Sequence, residues 1–304
     1  MNYDTLYNTI QAYAENTEQL FVANIPVFVQ QAEERIYNTV QIPALRRNVT
    51  GTATAGNKYL SLPDDYLSTY SLAAIDTNGD YYYLLNKDVN FIREAYPDSG
   101  EVGLPRYYSL FGSQYGNVNE LSYLMAPTPD QNYTVEMHYF YYPPTIVKGQ
   151  ITAFSTIVPG TLYANGVYQN VPLTGGTGSS ATANIVVVGQ QVYSCELAFG
   201  GNFYNVGDVL SCSSLGTSGV GFTVTVESVS STSGTSWLGD NYDPVLLYGS
   251  MREAMLFMKG EQDLVSYYEQ KYQEALQQLN RLGTGLERGD AYRDGQARIG
   301  QVNP

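Results

Sequence analysis

The feature that most constrains this chain is a Gly/Ser/Thr-rich block, Thr152 to Ser236, which interrupts an otherwise periodic sequence. Before the block, amphipathic segments lead into Tyr-rich segments that end near Tyr142. After it, helical periodicity resumes at Asp243. The two flanks therefore predict one folded body, and the block predicts a small all-β domain inserted into that body.

The first flank begins with two predicted helices. Apolar residues at spacings of three and four predict an amphipathic helix over residues 3–15. A second helix is predicted to start at Asn24 as N-cap, with Pro26 in its first turn, and to end at Pro43. The predicted apolar faces are Tyr3, Leu6, Ile10 and Tyr13 in the first helix and Ile25, Val29, Ala32, Ile36 and Val40 in the second, with Glu33 off the stripe.

From Arg46 to Pro144 the sequence predicts seven short strands, because Tyr, Val and Thr cluster between Gly, Asn, Asp and Pro. Asn78-Gly79 predicts a type I′ hairpin turn, in which both central residues have positive φ. A short helix is predicted from Asp88 to Tyr96. The strands, which imply an antiparallel sheet or a small sandwich, are expected at 49–50, 59–62, 71–75, 81–85, 107–111, 121–125 and 133–142.

The second flank predicts a helical hairpin. Asp243-Pro244 supplies an N-cap followed by proline at the first helical position, and Gly283 is expected to end the second helix. Because such amphipathic helices need a partner surface, we expect them to pack on the N-terminal helices, giving an α+β fold in which both chain ends form one helical layer. The apolar positions are Leu247, Met251, Ala254 and Met258 in the first helix and Leu264, Tyr268, Tyr272, Ala275, Leu279 and Leu282 in the second.

The block itself contains an imperfect repeat with an offset of about 41 residues. Leu162 to Val167 aligns with Phe203 to Val209, and each is followed by a Gly-Thr pair, Gly176-Thr177 or Gly216-Thr217, and a β-branched run. Two such units are predicted to pair into one all-β module. Five aromatic residues either fill its core or form a surface that binds carbohydrate or protein: Tyr163, Tyr168, Tyr193, Phe199 and Tyr204.

Net charge and cysteine content limit the range of functions and cellular locations that the chain can have. The formal net charge is -14, which makes the chain a poor binder of phosphate backbones. Cys195 and Cys212 both lie in the block; reduced buried thiols are expected, with a bridge as the alternative. No apolar run has the length of a membrane span, and the first residues lack a signal-peptide pattern, so synthesis in the cytoplasm is expected.

No known catalytic motif is present in the sequence. The single histidine, His138, lies in a predicted strand with no nucleophile or acid motif beside it. Asp76 to Asp80 resembles the opening of a calcium loop but lacks the later bidentate glutamate. The sequence therefore predicts a protein that is not an enzyme and that carries no metal and no cofactor.

Several short motifs lie along the two flanks: Ile25 to Ile36, Leu62 to Leu67, Gly103 to Tyr108, Ala126 to Asp130, Tyr139 to Pro143, Ser236 to Leu238 and Tyr242 to Gly249. In type and order they are similar to motifs of the head-to-tail adaptor proteins of tailed bacteriophages. In that family the Tyr-Tyr-Pro-Pro strand is followed within a few residues by the Trp-Leu segment, so the resemblance also marks the block as an insertion.

The resemblance implies a structural virion protein at the neck of the phage, synthesised in the host bacterial cytoplasm. Its expected assembly is a homo-oligomeric ring, usually twelve-fold, that joins the portal protein to a tail tube, nozzle or tail-completion protein and lets DNA pass without specific binding. The expected domains are 1–146 (helices and β region), 147–235 (inserted β domain), 236–283 (C-terminal helical hairpin) and 284–304 (extended arm).

In that family the last residues often extend to the portal. Carried over to this chain, the resemblance gives the portal-contact candidates Arg288, Tyr292, Arg293, Arg298 and Ile299. A frayed terminus is the alternative for this polar segment. The alternative for the whole chain is a phage accessory protein that binds a carbohydrate or receptor through the inserted block.

Overall fold

The computed structural model describes residues 1–98, 100–112, 121–212, 215 and 219–287, which divide into two compact units, Met1–Val40 with Pro144–Pro304, and Gln41–Pro143. The described helices are α1 (Tyr3–Ala14), α2 (Gln19–Thr39), α3 (Val89–Ala95), α4 (Trp237–Asn241), α5 (Asp243–Phe257) and α6 (Gln262–Glu287). The described strands are β1 (Arg46–Ala53), β2 (Tyr59–Ser61), β3 (Tyr66–Ile75), β4 (Tyr81–Tyr83), β5 (Leu85–Asn86), β6 (Tyr107–Phe111), β7 (Ser122–Ala126), β8 (Tyr133–Tyr141), β9 (Ile151–Thr161), β10 (Gly166–Pro172), β11 (Thr174–Gly175), β12 (Ser179–Val188), β13 (Gln191–Asn202), β14 (Val209–Ser211) and β15 (Val220–Val229).

The predicted mixed α+β fold is confirmed, with N- and C-terminal helices packed together and several antiparallel sheets between them in sequence. Helix α1 has the predicted extent and is capped by Asn2, whose side chain accepts the N–H of Thr5 at 2.9 Å. Backbone bonding also joins the two ends of the chain, since the N–H of Tyr3 donates to the carbonyl of Gly234 at 2.8 Å.

The predicted start of α2 at Asn24 is wrong. The helix begins five residues earlier at Gln19, so Pro26 lies inside it. Asn24 does not act as a cap, because its side chain donates back to the carbonyl of Leu20 at 2.7 Å within the helix. The predicted stripe of α2 is buried, but so is Glu33, which the sequence placed off it.

Helix α5 lies at the centre of the layer and packs against α1, α2 and α6. A helix surrounded on several sides buries more than one stripe, which is why the single predicted face was too narrow. Leu247 and Met258 are only half-buried, whereas Val245, Leu246 and Met255 are buried. Close helix approach depends on Gly249, where a Cβ would lie 3.0 Å from Ala32 and 3.3 Å from the Tyr272 ring.

The predicted end of α6 at Gly283 is also wrong, since the helix continues to Glu287. Gly283 itself is buried. Glycine costs only about 1 kcal/mol in a helix interior, so one glycine near the end of a long packed helix does not stop it. Any terminal arm therefore begins after Glu287, outside the described residues.

The second unit is a small sandwich of two four-stranded sheets, ordered β1-β8-β3-β4 and β2-β7-β6-β5. Pairing is antiparallel except between β5 and β6. Side chains of both sheets share one core, with Leu72 and Val135 from the first sheet and Tyr123 and Met125 from the second. Helix α3 forms as predicted, with Asp88 accepting the N–H of Asn90 at 2.8 Å.

The hairpin at Asn78-Gly79 forms between β3 and β4, but the predicted type I′ geometry is wrong. Only Gly79 has a positive φ, of 88°. The Asp76 carboxylate organises the loop by accepting the N–H groups of Asn78 at 2.8 Å and Asp80 at 2.9 Å. The same hydrogen bonds hold the pKa of Asp76 below its usual value, led by the bond from Asp80.

The Gly-rich block forms an all-β module of two sheets, β10-β12-β13 and β11-β14-β15-β9. The two repeats exchange strands within it. The first strand of repeat one, β9, pairs with the last strand of repeat two, β15, and the first strand of repeat two, β13, pairs with the last strand of repeat one, β12. One continuous core, which includes Ile185, Leu210 and Val224, therefore belongs to both repeats.

Equivalent positions in the two repeats have equivalent conformations. Leu162 and Phe203, about 41 residues apart, have φ values of 63° and 62°. The next residue in each repeat is a buried tyrosine that reaches into the other repeat. The hydroxyl of Tyr163 accepts the N–H of Phe222 at 3.0 Å, and that of Tyr204 accepts a hydrogen bond from the backbone of Ala181. The predicted pairing of two units is confirmed; the second predicted Gly-Thr pair, Gly216-Thr217, lies outside the described residues.

Candidate docking surfaces

The residues predicted to pack the helical layer lie mostly in its interior. Leu247 is half-buried, and Leu264 differs from the prediction, because 47% of it is exposed. Leu264 lies at the turn between α5 and α6, where Leu256 and Phe257 are exposed as well, so this end of the layer is incompletely covered. The buried members are Leu6, Ile10, Val29, Ile36, Met251, Tyr268, Tyr272 and Leu279.

An ion-pair network joins α2, α5 and α6 at the surface of the layer. Glu253 lies 2.9 Å from Arg35 and 2.7 Å from Arg252, and Arg252 also contacts Glu269. Burial alone would raise the pKa of Glu269, but a hydrogen bond from Gln273 and the charge of Arg252 lower it. The network fixes the lateral register of three helices that otherwise make apolar contacts.

The β module docks on α1 through an aromatic cluster. The ring of Phe203 lies 5.5 Å from that of Tyr3 and 5.1 Å from that of Tyr7, and the Asn202 side chain lies close to both hydroxyls. Burial raises the pKa of the Tyr3 hydroxyl. Lys148, at the base of the module, adds an ion pair to Asp4 of 3.2 Å. The module and the helical layer are thus held together by specific side-chain contacts.

We expect Phe203→Ala to loosen this docking. Removing a half-buried aromatic ring should lower the free energy of unfolding by about 2 kcal/mol. Leu162→Ala is the matched control, because Leu162 occupies the same turn of the other repeat and is exposed. Urea unfolding followed by circular dichroism measures the decrease in the free energy of unfolding for both variants. Equal decreases in Phe203→Ala and Leu162→Ala would contradict the docking role of Phe203.

Glu33 forms a second contact between α2 and the segment that leads into the module. Its carboxylate accepts the hydroxyl of Thr145 at 2.5 Å and the N–H of Ile146 at 2.9 Å. Burial raises the pKa of this carboxyl to about 7, against the opposing effect of the two hydrogen bonds. No pattern in the sequence identified Glu33, because its partners are distant along the chain.

The aromatic residues proposed for carbohydrate binding do not form one surface. Tyr163 and Tyr204 are buried in the module core, Tyr168 and Phe199 are half-buried, and Tyr193 is 78% exposed. Two of the five therefore have a packing role. The alternative in which all five aromatic residues form one binding surface is therefore wrong, and the core-filling alternative holds for Tyr163 and Tyr204.

The remaining sequence candidates lie apart from one another. Nδ1 of His138 lies 2.9 Å from the hydroxyl of Ser71 and Nε2 lies 3.6 Å from Glu136. Cys195 and Cys212 are buried and are not joined by a disulfide, and burial raises the pKa of Cys195 to about 12. In the described parts of the chain, no three His, Cys, Asp or Glu side chains group as metal ligands would.

The second unit has an exposed aromatic edge, defined here as Tyr81, Tyr82, Tyr83 and Leu85. Strand β4, at the edge of its sheet, carries the three tyrosines, and all four side chains are more than two-fifths exposed. Tyrosine and other aromatic residues are enriched where proteins bind proteins. This edge is therefore a candidate docking surface that the sequence did not single out.

The portal-contact candidates Arg288, Tyr292, Arg293, Arg298 and Ile299 lie outside the described residues. None of the helices that are described is both long and apolar enough to serve as a membrane span. The exposed apolar side chains at the α5–α6 turn and the aromatic edge are each candidate surfaces for contact with other proteins.

Comparison with known families identifies the class of this protein. The family model described as SU10 adaptor protein matches residues 1–171, more than half of the chain. The chain belongs to this family of phage adaptor proteins, and membership implies a structural and non-enzymatic role. No curated protein matches the sequence.

Proposed function

We propose that this protein forms a homo-oligomeric, twelve-fold ring in the neck of the virion and joins the portal protein to a tail tube, nozzle or tail-completion protein. Membership of the phage adaptor family carries the proposal. Assembly takes place in the host bacterial cytoplasm, and the finished ring stays in the virion.

The described surfaces support repeated protein contacts. The helical layer leaves apolar side chains exposed at the α5–α6 turn, and the aromatic edge of the second unit presents tyrosines to solvent. Tyrosine contributes large contact area at a low cost in conformational entropy. A ring subunit needs such surfaces on its sides and on both ends.

The charge of the chain supports passage of DNA without specific binding. Each copy carries a formal charge of -14, so a ring repeats that charge around its channel. Like charge lowers the affinity for the phosphate backbone. DNA would then slide through the channel during packaging and ejection.

The domain organisation proposed with this function treats residues 147–235 as an insertion into the adaptor body, 1–146 and 236–283 as that body, and 284–304 as the arm that reaches the portal. The pairing of Ile151 with Val229 supports the insertion, because it brings the two ends of the module side by side. An insertion with adjacent ends does not disturb its host.

Electron microscopy of the full chain mixed with its cognate portal protein tests the proposal. We expect a ring seated on the portal, with twelve subunits. Deletion of residues 288–304 should abolish seating on the portal and leave the ring itself intact. A full chain that remains apart from the portal at micromolar concentrations of both proteins would contradict the proposal.

A further inference from the structure

The module has two equivalent turns, and only one of them is docked within the chain. Phe203 packs on Tyr3 and Tyr7 of α1, whereas its counterpart Leu162 is 59% exposed. Both turns have the same backbone conformation and are held in the same way. The N–H of Tyr204 donates to the carbonyl of Gly149 at 2.9 Å, and that of Tyr163 donates to the carbonyl of Gln190 at 3.1 Å. Among the residues that the structure describes, the module is thus a two-ended connector with one end that the rest of the chain does not cover.

The unoccupied end is apolar. We define the open end as Thr161, Leu162, Val188 and Val220. Val220 pairs with Thr161 across the β9–β15 ladder, and Val188 and Val220 are each 60% exposed. Apolar side chains exposed together at one end of a small domain indicate a contact site.

The open end is also free of charge in a strongly acidic protein. Between residues 149 and 230 the sequence has only Glu196, Asp208 and Glu227 as charged residues, and none belongs to the open end. Two copies that each carry a charge of -14 repel one another. They can approach closely only where both surfaces are nearly neutral.

A surface without net charge lies on the exposed side of α6, where Asp263 and Glu274 are balanced by Lys271 and Arg281. Leu264 and Tyr267 are 47% and 51% exposed, and Lys271 there is paired with Glu274 at 3.0 Å. The other exposed positions of α6 carry one negative and one positive charge, six amides, a serine and a leucine: Asp263, Arg281, Gln262, Gln270, Gln273, Gln277, Gln278, Asn280, Ser266 and Leu282. This surface, defined here as the α6 face, offers an exposed aromatic residue on a helix, as α1 offers Tyr3 and Tyr7 to Phe203.

We propose that the open end of one copy docks on the α6 face of a second copy, as the Phe203 turn docks on α1 within the chain. Helix α1 cannot serve this purpose for a second copy, because its tyrosines are covered by Phe203. The two surfaces differ, so the contact is heterologous, and heterologous contacts close into rings or extend into chains. The proposal rests on the ring function above and names the surfaces that build the ring.

Sedimentation velocity of the full chain across a range of concentrations tests this contact. We expect the wild type to assemble and both Leu162→Asp and Tyr267→Asp to lose assembly. Val206→Asp is the matched control, because Val206 is exposed beside the docked turn at the other end of the module, and it should assemble like the wild type. Circular dichroism should show all three variants folded.

Mixing the two defective variants gives the sharpest result. Leu162→Asp retains an intact α6 face and Tyr267→Asp retains an intact open end, so an equimolar mixture has one working contact and should form dimers without larger species. A monomeric wild type, assembly that persists in Leu162→Asp, or assembly lost equally in Val206→Asp would overturn the inference. Binding of the Leu162→Asp and Tyr267→Asp variants to the portal protein, measured separately, shows whether the proposed adaptor function is retained when this contact is lost.

Discussion

Gly201→Ala is expected to lower the free energy of unfolding by about 3 kcal/mol, from left-handed strain and steric collision together. Gly201 has a φ of 60°, and a Cβ there would lie 2.3 Å from the carbonyl oxygen of Ser179 and 2.7 Å from the nitrogen of Ala181. These are backbone atoms of the opposing strand β12, so they cannot move without breaking the ladder between the repeats.

The matched control for this variant is Gly189→Ala. Gly189 has nearly the same φ, 61°, but has no atom within 4 Å of the Cβ position. Its replacement should cost about 1 kcal/mol, the strain of the left-handed conformation alone. Gly160, the counterpart of Gly201 in repeat one, would place a Cβ 2.5 Å from the carbonyl oxygen of Val220 and should behave like Gly201.

Urea unfolding of the three variants at one pH measures these differences. Gly201→Ala and Gly160→Ala should both lie well below Gly189→Ala in stability. Equal stability of all three would mean that the strands of the two repeats do not approach one another as closely as the structure has them.

Glu33→Gln is expected to remove a pH dependence of stability between about pH 4.5 and 7. The pKa of Glu33 is about 7 in the folded protein, against an ordinary value of 4.5. The folded state therefore holds the proton more tightly than the unfolded state does. The resulting stabilisation is complete below pH 4.5 and is lost as the pH rises through 7, with a total change of about 3 kcal/mol.

Glutamine reproduces the protonated form of this side chain. Its oxygen can accept the N–H of Ile146, and its amide can donate to the hydroxyl of Thr145. Glu33→Gln should therefore match the wild type at pH 5 and exceed it at pH 8. Glu33→Ala should be less stable than the wild type at pH 5, by about 2 kcal/mol, because it leaves the N–H of Ile146 without its acceptor and removes a hydrogen-bond partner of the Thr145 hydroxyl.

Glu34→Gln is the control for this series, because Glu34 is the next residue of α2 and is exposed. Urea midpoints of the four proteins at pH 5 and pH 8 isolate the contribution of Glu33 from those of other titrating groups. If the urea midpoint changes between pH 5 and pH 8 by the same amount in Glu33→Gln and in Glu34→Gln, Glu33 is not the source of the pH dependence of stability.

Local patterns in the sequence predicted the parts of the fold that depend on neighbouring residues. The short helix predicted from Asp88 to Tyr96 and the strand at Tyr107 to Phe111 follow from residue type and spacing, and both are confirmed. The repeat in the Gly-rich block was also visible, because both copies keep a similar short segment, Leu162 to Val167 and Phe203 to Val209, followed by a Gly-Thr pair.

Features that depend on tertiary contacts were missed or misplaced. Asn24 is a residue type that favours helix N-caps, but packing extends α2 to Gln19 on its N-terminal side. Gly283 lies inside α6 because packing extends that helix to Glu287. A glutamate is typical of a solvated helix face. Only the tertiary contacts of Glu33 with Thr145 and Ile146 show that this one is buried. The exposure of Leu264 depends on where the neighbouring helix ends, which its own periodicity cannot indicate.

The exchange of strands between the repeats determines when the module can fold on the ribosome. Strand β9 is synthesised first, but its ladder partner is β15, which ends at Val229. Translation at about 5–20 residues per second leaves β9 with an unpaired edge for several seconds while the intervening residues are made. A chaperone that covers this nascent edge would protect the chain during that interval.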